Sequence, residues 1–136
     1  MNLLNLLDKN SRIQISMVHF LLDYNAKTST TTMIEELALT RFLFETNIEE
    51  VGSTLEQLNI GLSLTYDKIH NSITLQKDNH TSLDKFYYYY LNRSVDYQIL
   101  IYLYQHPSYS IVDLSHSVSL SEAAIYRHLK KIKQGN

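Results

Sequence analysis

The chain has 136 residues, with 12 basic and 14 acidic side chains, a formal net charge of -2 and 44% hydrophobic content, enough for one ordinary domain or two very small ones. It contains no cysteine, which excludes a disulfide framework and thiolate metal sites and fits a reducing compartment. No apolar run approaches the ~18 residues of a membrane span, and MNLLNLLDKNSR lacks the basic start and cleavage pattern of a secretory signal, so the expected location is cytoplasmic with no membrane contact.

In chain order, Leu3, Leu4, Leu6 and Leu7 form a short apolar segment before an amphipathic helix from Arg12 to about Tyr24, in which Ile13, Met17, Phe20 and Leu21 recur at helical spacing. Asn25 to Thr31 is polar and reads as a loop. Thr32 with Glu35 has the form of a capping box that starts a second helix through Ile34, Leu37 and Ala38. Asn47 with Glu50 repeats the device ahead of a third helix with Ile48, Val51, Leu55 and Leu58 inward, which leaves an insertion including Phe42 to Phe44 in the turn between them. After Gly61 the period changes from helical to alternating. LSLTYD and SITLQ flank the turn-like KIHN, which predicts a β-hairpin and completes a winged helix.

Lys77 to Thr81 is polar and marks the expected boundary, giving a first module over 1–77 and a second over 78–136. Ser82 to about Asn92 predicts a linking helix, and Val95 to Tyr104 another with Ile99, Leu100 and Leu103 inward, ended by the sole proline, Pro107. Ser110 then caps a helix that begins at Ile111. From Ile111 to Ile132 the apolar positions fit two short helices crossing at a sharp turn. Ile111, Leu114 and Ser115 face inward from the first, Val118 and Leu120 close the turn, and Ile125, Leu129 and Ile132 form the inner stripe of the second. The expected fold is therefore mainly α with a small β-hairpin, built as tandem winged-helix and helix-turn-helix modules. The second copy ends at Asn136, where its wing would start, so the wing is absent or the chain is a fragment of something longer.

Charge is distributed unevenly between the modules. From Phe44 to Asn59 the charged residues are Glu45, Glu49, Glu50 and Glu56; from Ala123 to Asn136 they are Arg127, Lys130, Lys131 and Lys133. A final helix with that basic face is suited to a DNA major groove. If Ser121 caps it, the helix start can approach a phosphate, with Glu122, Ala123, Tyr126 and Arg127 directed to base edges. Arg127 suits a bidentate contact to guanine, Lys130, Lys131 and Lys133 suit phosphates, and His128 can touch phosphate when protonated. In the first module the acidic helix repels phosphate, which restricts expected contacts to Lys68 and His70 at the hairpin tip.

The hairpin LSLTYDKIHNSITLQ, the aromatic connector DKFYYYYLNRSVDYQIL and the segment LSHSVSLSEAAIYRHLKKI together resemble the N-terminal region of the Mga and RofA-like stand-alone transcriptional regulators of Gram-positive bacteria. The resemblance covers nearly the whole chain and lies in the order of elements more than in any one motif. It implies a virulence-regulator type of protein with two tandem DNA-binding modules, followed in the full-length relatives by sugar-sensing regulatory domains and a dimerisation surface. The implied partners are promoter duplex DNA, RNA polymerase and a second copy held through regions outside this chain.

Other functions fit the residues less well. Tyr87 to Tyr90 spread around a helix and cannot form one stacking platform. The six histidines make no short ligand-spaced pair with a carboxylate, so no metal and no cofactor is expected. Only Gly52, Gly61 and Gly135 are present, which leaves no phosphate loop, and no nucleophile sits beside an evident base, so the chain does not read as an enzyme. The alternative reading is a winged-helix protein-interaction or assembly module without direct base readout, with the acidic helix as its contact surface.

Overall fold

The computed structural model describes residues 3–134; Met1, Asn2, Gly135 and Asn136, the outer ends of the two sequence modules, lie outside the described residues. The described chain is mostly helical, with one three-stranded antiparallel sheet. It divides into two compact units, one spanning Lys9–Tyr87 and the other combining the residues up to Asp8 with those from Tyr88 onward.

The first unit begins with α1 (Lys9–Asp23), followed by β1 (Lys27–Ser29), α2 (Thr30–Glu36), α3 (Arg41–Leu58), β2 (Leu62–Asp67) and β3 (Ser72–Lys77). The hairpin forms as its alternation predicts. Leu62, Ile73 and Leu75 are buried, Leu64 pairs with Leu75, and Tyr66 pairs with Ile73. Gly61 enters the hairpin at φ +82°, and a Cβ there would lie 2.3 Å from Asp78 Oδ1 and 2.9 Å from the Thr81 amide nitrogen. Only glycine fits that corner.

Three local expectations are corrected here. Residues 27–29 are a strand rather than loop, pairing with β3 to give the order β1-β3-β2. The pairing joins residues far apart in sequence, so the short polar segment carries no local trace of it. The second helix is capped by Ser29, whose Oγ accepts from the Thr32 amide at 3.1 Å, and Thr32 is already inside the helix. Likewise Thr40 caps α3, accepting from the Leu43 amide at 3.1 Å, and Asn47 sits in mid-helix. Asn47 is fully buried because its side chain is satisfied there: it donates to Leu43 O at 2.9 Å and accepts from Gln14 Nε2 at 3.0 Å. Phe42 to Phe44 therefore belong to the first turn of α3, with Phe44 in the core, and no insertion separates α2 from α3.

The second unit contains a 3₁₀ turn (Leu3–Leu6), α5 (Val95–Gln105), α6 (Ile111–Val118) and α7 (Glu122–Gln134); α4 (Leu83–Arg93) runs through the division. The division lies inside α4, and Leu3–Asp8 group with the second unit. Leu6 and Leu7 are buried, and Ser94 Oγ donates to Leu6 O at 2.7 Å. In α4, Phe86, Tyr90 and Leu91 are buried whereas Tyr88 is exposed, which confirms that the tyrosines spread around the helix.

The core of the second unit is small. Ile99, Leu114 and Ile125 are fully buried, one from each helix, with Val95, Tyr102, Leu103, Ile111, Val118, Leu120, Leu129 and Ile132 packed around them. Every apolar position assigned inward from Ile111 to Ile132 is in that set. Ser110 caps α6, accepting from the Asp113 amide at 3.1 Å, and α6 ends at Ser119 in the left-handed conformation at φ 58°. The turn is closed by the Leu120 amide donating to Ser115 O at 3.1 Å and by Ser115 Oγ donating to Leu120 O.

Candidate nucleic-acid interface

Helix α7 follows the tight turn at Ser119, and Ser121 caps it, its Oγ accepting from the Ala124 amide at 3.2 Å. Ile125 is fully buried and Ala124 nearly so, with Leu129 and Ile132 on the same side. A helix turns 100° per residue, so this burial sends Ala123, Tyr126, Arg127, Lys130 and Lys133 to the opposite side. All five are exposed, as are Ser121 and Glu122 at the helix start. Tyr126 is 58% exposed, a large aromatic left uncovered beside Arg127 and Lys130. Among the described residues, Arg127, Lys130 and Lys133 have no ion-pair partner. The face thus presents three free cations and a phenol. Glu122, in the first turn, is the sole acid on the helix and lies where the helix dipole favours negative charge.

Two residues grouped with that face in sequence contact Asp96 of α5. His128 is only 30% exposed and its Nδ1 donates to Asp96 Oδ1 at 2.6 Å. Lys131 Nζ lies 3.1 Å from Asp96 Oδ2, with its side chain 65% exposed. Asp96, in the first turn of α5, has a side chain only 5% exposed, so both of its oxygens are taken by α7. Sequence reasoning missed Asp96. Its partners are 32 and 35 positions away, and the one local sign is a carboxylate within the otherwise apolar run VDYQILIYLYQ.

At the hairpin tip of the first unit, Lys68 and His70 are exposed, and both are engaged. Lys68 Nζ lies 3.6 Å from Glu49 and 4.0 Å from Glu45, while Glu45 also pairs with Arg41 at 3.3 Å. His70 Nδ1 donates to Asp67 Oδ2 at 2.7 Å, and Asp67 Oδ1 accepts from the Ile69 and His70 amides. That turn holds the Asp67 carboxyl below its usual range, chiefly through the His70 ring and then the His70 amide. The Tyr66 phenol donates to Glu45 at 3.0 Å, and burial, followed by that carboxylate, pushes its pKa up. Exposed pairs of this kind hold little energy, so they bias the tip without locking it. Phe42, at the start of α3, is 75% exposed.

With this geometry in place, the comparison with known families is specific. Residues 79–135 match the Mga helix-turn-helix domain. That stretch of the chain is thus similar to a Mga helix-turn-helix domain. The matched span contains α4, α5, α6 and α7. Mga domains belong to a DNA-binding regulatory family rather than to an enzyme family. No curated protein matches the chain. Among the described residues, no helix is long and apolar enough to cross a membrane.

Proposed function

We propose that this Mga-type chain is a sequence-specific transcriptional regulator that reads promoter duplex DNA mainly through α7. The observation that carries the reading is the outer face of that helix: Ala123, Tyr126, Arg127, Lys130 and Lys133 are all exposed on the side opposite a fully buried Ile125. Ser121 and the first amides of α7 approach a phosphate, and Glu122, Ala123, Tyr126 and Arg127 reach base edges. Arg127 bonds guanine through both ends of its guanidinium, a contact worth about 1–3 kcal/mol of discrimination. Lys130 and Lys133 neutralise phosphates, which positions the helix without reading sequence. The first unit has the supporting role, since Lys68 and His70 are already paired within it. Dimerisation through regions outside this chain and a productive or obstructive encounter with RNA polymerase complete the proposal.

The second reading, a protein-interaction module without base readout, draws support from the exposed Glu49, Glu50 and Glu56 on α3. The free cations of α7 favour DNA over that alternative. Selection from a random duplex pool, followed by binding of Arg127→Ala to the enriched sequence and to mixed sequence, separates the two. Under the proposal, Arg127→Ala loses about tenfold preference for the enriched sequence. No enrichment above a mixed-sequence background would refute base readout and leave the interaction module standing.

A further inference from the structure

We propose that Asp96 is a positioning residue for α7, clamping His128 and Lys131 so that they are withheld from DNA while Arg127, Lys130 and Lys133 are presented. This inference rests on the DNA-reading role proposed for α7. Burying a carboxylate is costly unless it is paired and hydrogen-bonded, and Asp96 is paired only through α7: His128 Nδ1 takes one oxygen at 2.6 Å and Lys131 Nζ approaches the other at 3.1 Å. Its place in the first turn of α5, behind the Ser94 cap, adds a second stabilisation, because a helix start favours negative charge.

The geometry of the pair sets the orientation of the helix. His128 and Lys131 are three residues apart and so lie on one flank, a turn from each other. The short His128 bond to the buried carboxylate, with the Lys131 pair beside it, biases both the rotation of α7 about its axis and its position along it. The apolar contacts of Ile125, Leu129 and Ile132 are non-directional and constrain those degrees of freedom less. Lys130 and Lys131 are thereby given opposite roles although they are adjacent: one is free, and the other is tied to α5. The same holds for Arg127 and His128.

Salt dependence distinguishes these roles directly, because each phosphate contact contributes about 0.9 to the slope of log affinity against log salt. With a mixed-sequence duplex, Lys130→Gln should lower the steepness by about 0.9, and Lys131→Gln should leave it unchanged. Asp96→Asn keeps the shape of the side chain and removes its charge; the freed Lys131 should then steepen the slope by about 1 while preference for a selected sequence falls about tenfold. A residue that merely supported folding would weaken binding without steepening the slope. Lys131→Gln is a surface change that does not depend on Asp96→Asn folding. If Lys131→Gln flattens the slope as much as Lys130→Gln, the clamp is overturned and the DNA reading stands. If the wild-type chain shows no salt-dependent binding at all, the DNA reading falls and the clamp's proposed purpose falls with it.

Discussion

Ile125 and Tyr126 are neighbours on α7 with opposite surroundings, and replacing each by alanine should produce opposite outcomes. Ile125 is fully buried and is one of three side chains that form the centre of the second unit, with Ile99 and Leu114. Truncating such a residue removes its transfer free energy and leaves a cavity, typically about 2–5 kcal/mol. Here the eight surrounding side chains are only partly buried and can move inward, which favours the lower end, about 2–3 kcal/mol. A unit of this size, on the order of 50 residues, has about 3–7 kcal/mol to lose, so Ile125→Ala should bring it close to unfolding. Tyr126, at 58% exposed, should cost within about 0.5 kcal/mol when truncated. Urea unfolding followed by amide NMR signals of each unit would measure both. The expected result is an early transition confined to α5, α6 and α7 for Ile125→Ala and a wild-type transition for Tyr126→Ala. Equal losses for the two variants would refute the rotation assigned to α7, and with it the set of residues placed on its outer face.

Further outcomes follow from the first unit. Asn47→Ala removes the buried hydrogen bond from Gln14 Nε2 to Asn47 Oδ1 and should destabilise by about 1–3 kcal/mol in thermal melts, whereas a cost near zero would mean that the buried pair is not formed. Gly61→Ala forces a left-handed φ on alanine and drives its Cβ into Asp78 and the Thr81 backbone, so a loss of about 1 kcal/mol or more is expected in the same assay; neutrality would contradict that corner. The Asp67 carboxyl should titrate by NMR below 3.8, the ordinary value for an aspartate. Because its folded value is depressed, its stabilisation of the turn is complete above the unfolded value and is lost as pH falls through the folded one. The hairpin tip should therefore loosen only in acid, and a midpoint at or above 3.8 would contradict the His70 and backbone bonds to it.

The second unit was nearly transparent in sequence because its order depends on local signals. Ile111, Leu114, Ile125, Leu129 and Ile132 repeat at helical spacing, and Ser110 and Ser121 cap where a cap is needed, so periodicity alone orients α6 and α7. The first unit hid more because its decisive contacts are distant. The run from Thr28 to Thr32 offers five side chains able to cap, and the choice of Ser29 follows from β1 pairing with β3 more than forty residues later. Asn47 resembled a cap because asparagine in a helix interior is unusual; Gln14, on a different helix, is what makes it tolerable there. On the candidate interface, exposure of Arg127, Lys130 and Lys133 could be read from the pattern, but the diversion of His128 and Lys131 could not. Charge composition counts all five as one basic face, and only the packing of α5 against α7 reveals Asp96 between them.

The central claim, that α7 carries the chain onto duplex DNA, is most directly tested by fluorescence anisotropy of a labelled mixed-sequence duplex titrated with the chain across a salt series. Lys130 and Lys133 on phosphates, with Arg127 beside them, predict that log affinity falls against log salt with a slope of about -2 to -3, and that changing Arg127, Lys130 and Lys133 together to glutamine abolishes most of it. Binding that is absent, or that does not change with salt, would contradict the account.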